Sequence, residues 1–199
     1  DNQEWVRPNR SPIVYALIQT LYHTPYISSL LAYQIYSWTS GILYLGIALL
    51  FSRKVGRNLT EKSLLLCILL SLGFVVQFFG YVENYALLFP AILTFLLLGL
   101  LTLEDKCHIF AFSAFTGVLF PIHFVTFAFI PSYCIVLYLS IIKSDAKKIS
   151  TYFLKTTFCA LLLLGVSALL FTIVNFDILS YLTNPKQSHL LAFNNTTAS

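Results

Sequence analysis

Methionine is absent from this chain and charge is scarce, with only 10% of its 199 residues being Asp, Glu, Lys or Arg, where a soluble domain carries about a quarter. A chain that opens at Asp1 with no methionine anywhere is expected to be a piece of a longer product, truncated at both ends. The shortage of charge excludes a water-soluble fold for most of its length. Hydrophobic residues make up 58% of it and the mean hydropathy is +0.80, so lipid is the expected solvent and 1–199 reads as a single membrane domain.

Recognisable catalytic strings are also missing. There is no phosphate-binding P-loop, no G-x-G-x-x-G, no H-E-x-x-H and no G-x-S-x-G. Cysteine is limited to Cys67, Cys107, Cys134 and Cys159, each single and without histidine at zinc-ligand spacing, so they read as small buried apolar side chains. The basic residues flank apolar runs rather than forming a stripe interleaved with aromatics, and no nucleic-acid partner is expected. The expected surroundings are membrane lipids.

What is present is a series of charge-free runs. Leu30 to Phe51, Ser63 to Val82, Asn84 to Leu103 and Thr156 to Phe176 are each 20 to 22 residues long, the length that crosses a bilayer as a helix. Cys107 to Ile142 is 36 residues, about 54 Å as one straight helix and nearly twice the ~30 Å hydrocarbon core. Pro121 and His123 interrupt its middle, so it is expected to fold back there as helices over 107–121 and 123–142. The fold class is therefore all-α, a polytopic transmembrane helix bundle of about six crossings, with spans at 30–51, 63–82, 84–103, 107–121, 123–142 and 156–176. Residues 1–29 read as an external loop with a short amphipathic interfacial helix, and 177–199 as the start of an external segment. Six crossings place nine of the twelve Lys and Arg residues on one side, which the positive-inside rule makes cytoplasmic.

This topology sends Asp1, Glu4, Arg7, Arg10, Glu83, Asn84, Tyr85 and His123 to the opposite, non-cytoplasmic face. Glu83 is the sharpest of them, a carboxylate in the only break, Gly80 to Tyr85, between two apolar runs. It suits a general base, a metal ligand or an acceptor for hydroxyls, and set against these is a plain solvated turn residue. His123 beside proline is either a ligand-contacting group or a satisfied structural residue at a helix junction.

The order of these features resembles the type C membrane glycosyltransferases, including the dolichyl-phosphate-mannose protein mannosyltransferases and the bacterial glycosyltransferase family 39 group. Asp1-Asn2-Gln3-Glu4-Trp5 to Pro12 is similar to the family's first external loop, and Ala32 to Gly41 running on to Arg57 is similar to its second span. Gly80 to Tyr85 resembles its acidic second external turn, and Gly117 to His123 the helix break that follows. The resemblance implies inverting hexosyl transfer from a polyprenyl-phosphate-linked sugar donor to an acceptor on the outer face of a bacterial or archaeal plasma membrane. On it, Asp1 or Glu4 is the catalytic base and Glu83 ligates a divalent metal or sugar hydroxyls. Arg7, Arg10, Asn84, Tyr85 and His123 bind substrate. Two other classes stay open: a transporter or flippase with Glu83 and His123 as an ion or proton relay, and a structural membrane subunit.

Overall fold

A computed structural model describes residues 11–22, 26–79, 84–143 and 149–173. Among the described residues all regular structure is helical: α1 (Pro12–Tyr22), α2 (Ser29–Val55), α3 (Leu59–Leu70), α4 (Leu88–Leu103), α5 (Ile109–Ile122), α6 (Ile130–Lys143) and α7 (Ile149–Ile173), with 3₁₀ stretches at Gly73–Phe79 and Phe124–Phe129. They group into two compact units, one within Leu17–Leu100 and the other drawn from Asp1–Ala16 and Leu101–Ser199.

In the first unit α2 is the organising element. Ser28 caps it, its Oγ accepting the Leu31 N–H at 3.2 Å, and Arg53 and Lys54 in the last turn suit the negative end of the helix dipole. Its buried face is a ladder of Ala32, Tyr36, Ser40, Tyr44, Ala48 and Ser52, whereas Ile42, Leu43, Leu45 and Leu50 are exposed. Small and polar inside with aliphatic outside is the reverse of a soluble helix, and it is the arrangement expected where lipid solvates the outer face. The inward hydroxyls bond locally, Ser40 Oγ donating to the Tyr36 carbonyl at 2.8 Å and Ser52 Oγ to the Leu49 carbonyl at 3.0 Å, as an apolar setting requires.

The apolar run Ser63 to Val82 is not the straight span its length suggests. Asn58 caps α3 through a 2.8 Å bond from the Glu61 N–H, and Glu61 reaches back to the Arg57 N–H at 2.8 Å, a reciprocal cap. The chain then turns by 68° between α3 and Gly73–Phe79. Ser71 Oγ donates to the Cys67 carbonyl at 2.7 Å, and the Tyr44 phenol donates to the Leu69 carbonyl at 2.9 Å. A phenol from α2 thus satisfies backbone at the break, which explains how an apolar segment tolerates it. Gly41 lets Phe78 lie directly on α2, since a Cβ there would meet the Phe78 Cβ at 2.7 Å.

Expected span 84–103 is a turn at 84–87 followed by α4, which has 16 residues. In the second unit α5 and α6 have 14 residues each, about 21 Å at 1.5 Å per residue and short of the ~30 Å core. Among the described residues two helices, Ser29–Val55 and Leu154–Ile173, are long and apolar enough to cross a bilayer, and the bent pair Leu59–Leu70 and Gly73–Phe79 is a third if it acts as one span. Helix length therefore does not supply the six crossings that uncharged runs suggest, because Pro121, the Ser71 break and the 84–87 turn shorten the helices.

The fold-back itself is present. α5 stops at Ile122 with Pro121 in its last turn, and α6 returns beside it, with Tyr133 OH 2.9 Å from Ser113 Oγ. At its far end Lys143 Nζ donates to the Leu103 carbonyl at 3.0 Å and to the Asp105 carboxylate, so the two ends of the 107–142 run meet. α7 packs most extensively on α5. A Cβ on Gly117 would lie 2.6 Å from the Leu163 carbonyl, and Ser167 Oγ sits 2.8 Å from the Gly117 carbonyl and 2.9 Å from that of Leu163.

Candidate functional site

Of the residues singled out from the sequence, Asp1, Glu4, Arg7, Arg10 and Glu83 lie outside the described residues. The turn that follows Glu83 is described and belongs to the first unit. Asn84 and Tyr85 are half-buried, and Leu88 N–H closes the turn onto the Tyr85 carbonyl at 2.9 Å. Tyr36, buried on α2, grips it from the side. Its phenol donates to the Asn84 carbonyl at 3.1 Å and accepts the Leu87 N–H at 2.9 Å. A tyrosine OH is well suited to this task because it is donor and acceptor at once. The backbone of the 84–87 turn is therefore fastened to α2.

Tyr36 is the residue that sequence reasoning missed. The signal was available in the four-residue spacing of Ala32, Tyr36, Ser40, Tyr44 and Ala48, which puts two tyrosines on the small-residue face rather than at a span end where interfacial tyrosines sit.

His123 belongs to the second unit and is buried, only 6% exposed. It has extended backbone at φ −164° and ends α5 while starting the next 3₁₀ stretch. Its N–H donates to the Leu119 carbonyl at 3.3 Å and its carbonyl accepts the Thr126 N–H at 3.0 Å. The Thr126 hydroxyl lies 2.7 Å from the His123 carbonyl and 3.0 Å from the Leu119 carbonyl. Ring nitrogen Nδ1 accepts the Val125 N–H at 3.0 Å. A neutral imidazole that accepts at Nδ1 carries its proton on Nε2. The ring thus has a definite structural task and a definite tautomer, in which Nε2 is a hydrogen-bond donor and not a base.

Among the described residues no three His, Cys, Asp or Glu side chains come together as a metal site. Cys159 is buried, Cys107 half-buried, and Cys67 and Cys134 exposed, so burial of all four is corrected: exposed cysteines on apolar helices are as compatible with a lipid-facing surface as leucine is. Comparison with protein families, curated proteins and solved structures yields no match.

Proposed function

We propose that this chain is part of a membrane glycosyltransferase that moves a sugar from a polyprenyl-phosphate-linked donor to an acceptor on the non-cytoplasmic face. The observation that carries the reading is the turn after Glu83, held by Tyr36 through two hydrogen bonds. A group that meets a substrate needs a fixed backbone beside it. In the proposed reaction Asp1 or Glu4 takes the proton of an acceptor hydroxyl, and the oxygen attacks the anomeric carbon with inversion. The bond from that carbon to the phosphate oxygen breaks, and polyprenyl phosphate departs with the electron pair. Glu83, Asn84 and Tyr85 hold sugar hydroxyls, while Arg7, Arg10 and His123 are the residues assigned to the leaving phosphate. The finer topology belongs to the same proposal: six crossings, with the Lys-rich turns cytoplasmic and a bacterial or archaeal plasma membrane as the setting.

The test is incubation of the full-length protein in membranes with a polyprenyl-phosphate sugar. Stoichiometric release of polyprenyl phosphate and glycosylated acceptor supports the proposal, and no release with any such donor overturns it.

One observation favours a transporter or flippase instead. The segment Leu59–Phe79 is a broken helix, and within it Gln77 Oε1 is buried with no hydrogen-bond partner among the described residues. Broken helices with polar groups at the break are how transporters build sites. Solute uptake or lipid scrambling by the reconstituted protein, without sugar transfer, is the result that distinguishes it.

A further inference from the structure

Helix α1 opens with donor groups that its own cap does not match. The Ser11 carbonyl accepts the Tyr15 N–H at 3.0 Å, the first bond of the helix, which makes Ser11 the cap residue. A capping serine ordinarily accepts the N–H of the second or third helical residue, here Ile13 or Val14. Ser11 Oγ does neither: it is buried with no hydrogen-bond partner among the described residues. Pro12 has no N–H, and no earlier turn of α1 exists to receive those of Ile13 and Val14. The end is also dry, with Ser11 3% exposed, Val14 0% exposed and Pro12 fully buried. A buried helix end whose hydroxyl is unmatched is a costly arrangement that calls for an occupant. We propose that the N-terminus of α1 binds a terminal phosphate group, one with three free oxygens.

The chemistry of the donors selects the ligand. A helix N-terminus carries about half a positive charge and directs its amides at whatever lies beyond it, which favours an oxyanion. The chain itself offers none nearby: the first turn of α1 has no acidic residue, and no Asp or Glu occurs from Trp5 to Thr60, whereas the charged residues nearest to Ser11 in sequence are Arg10 and Arg7. One hydroxyl and two amides are three donors, the number of free oxygens on a terminal phosphate; a phosphodiester has two. Burial strengthens each such bond, because hydrogen bonds to an ionised acceptor gain where water is excluded. Phosphatidic acid and inorganic phosphate both present this group. The inference rests on no step of the proposed transfer reaction.

The experiment is thermal unfolding of the full-length protein in neutral detergent at fixed ionic strength. Inorganic phosphate and short-chain phosphatidic acid are each titrated, with phosphatidylcholine as the diester control. The midpoint is expected to rise with phosphate concentration and to stay put with phosphatidylcholine. Whichever phosphate acts at the lower concentration names the source. Ser11→Ala keeps the amides and loses the hydroxyl, so apparent affinity should fall about tenfold, while Ser11→Thr should retain it. Ser11→Asp supplies a carboxylate that caps the amides from within. Its midpoint without phosphate should rise by about 2–4 °C, and phosphate should then add nothing. No shift in wild type with either phosphate overturns the proposal, as does an equal shift with acetate, or equal affinity in wild type and Ser11→Ala. An unchanged midpoint in Ser11→Asp would show that the amides are already matched, and overturns it as well.

Discussion

Tyr36 and Leu87 are 51 positions apart in sequence, yet the Leu87 N–H donates to the Tyr36 hydroxyl at 2.9 Å while that same hydroxyl donates to the Asn84 carbonyl. Removing the oxygen strips one donor and one acceptor of this partner in an apolar setting. Tyr36→Phe is expected to lose about 1–3 kcal/mol of stability in detergent unfolding, and more glycosyl transfer than that loss explains, because the turn after Glu83 is released. A variant as stable and active as wild type would show that the grip is incidental.

His123 offers a way to separate structure from chemistry. Asparagine is a good helix cap, so His123→Asn is expected to retain an acceptor for the Val125 N–H while losing the Nε2 donor. Thermal stability should change little, and the KM for the lipid-phosphate donor should rise. His123→Ala loses both, with a stability cost of about 1 kcal/mol for the missing cap. Equal donor KM in wild type and His123→Asn would return this residue to a purely structural role.

The α5 to α7 contact depends on one missing methyl group. A Cβ on Gly117 would lie 2.6 Å from the backbone oxygen of Leu163, whereas nothing lies within 4 Å of one on Gly165. Gly117→Ala is expected to destabilise the protein by about 1–3 kcal/mol through overpacking, and Gly165→Ala to be neutral or slightly stabilising. The pair is read by thermal unfolding in the same detergent, and the order of the two midpoints is the check.

The fold-back of 107–142 is tested by sidedness. In a background without native cysteines, single cysteines at Lys106 and Lys143 should react with a membrane-impermeant maleimide from the same side of sealed vesicles, because Lys143 reaches Leu103 and Asp105. Labelling from opposite sides would mean that the run crosses the bilayer once.

The helical class, the break at Pro121–His123 and the return of α6 were legible because each follows from a local signal: absence of charge, a proline, and a run too long for one crossing. Helix α1 was legible as well, with Val14 and Ile18 buried and Leu17 exposed. The bend after α3 was not, since Ser71 and Gly73 are weak breakers alone and the bend is stabilised by Tyr44, 25 residues earlier. The late start of α4 has the same origin, because it is Tyr36 that holds residues 84–87 out of the helix. Long-range phenol contacts of this kind leave no trace in a hydropathy profile. Of the candidate residues, Glu83 and His123 stood out because they interrupt apolar runs, whereas Tyr36, whose phenol holds the 84–87 turn, drew notice through its packing.

Glycosyl transfer by the full-length Glu83→Gln variant tests the central claim most directly. The amide keeps size and most hydrogen bonding but removes the charge, so transfer from a polyprenyl-phosphate sugar should fall by about 10- to 10²-fold, the worth of one charged hydrogen bond to a sugar hydroxyl, with membrane insertion and unfolding midpoint unchanged, whereas loss of the base in the Asp1→Asn, Glu4→Gln double variant should cost about 10²- to 10⁴-fold. Wild-type transfer rates in Glu83→Gln, and in a double Asp1→Asn, Glu4→Gln variant, would contradict the account.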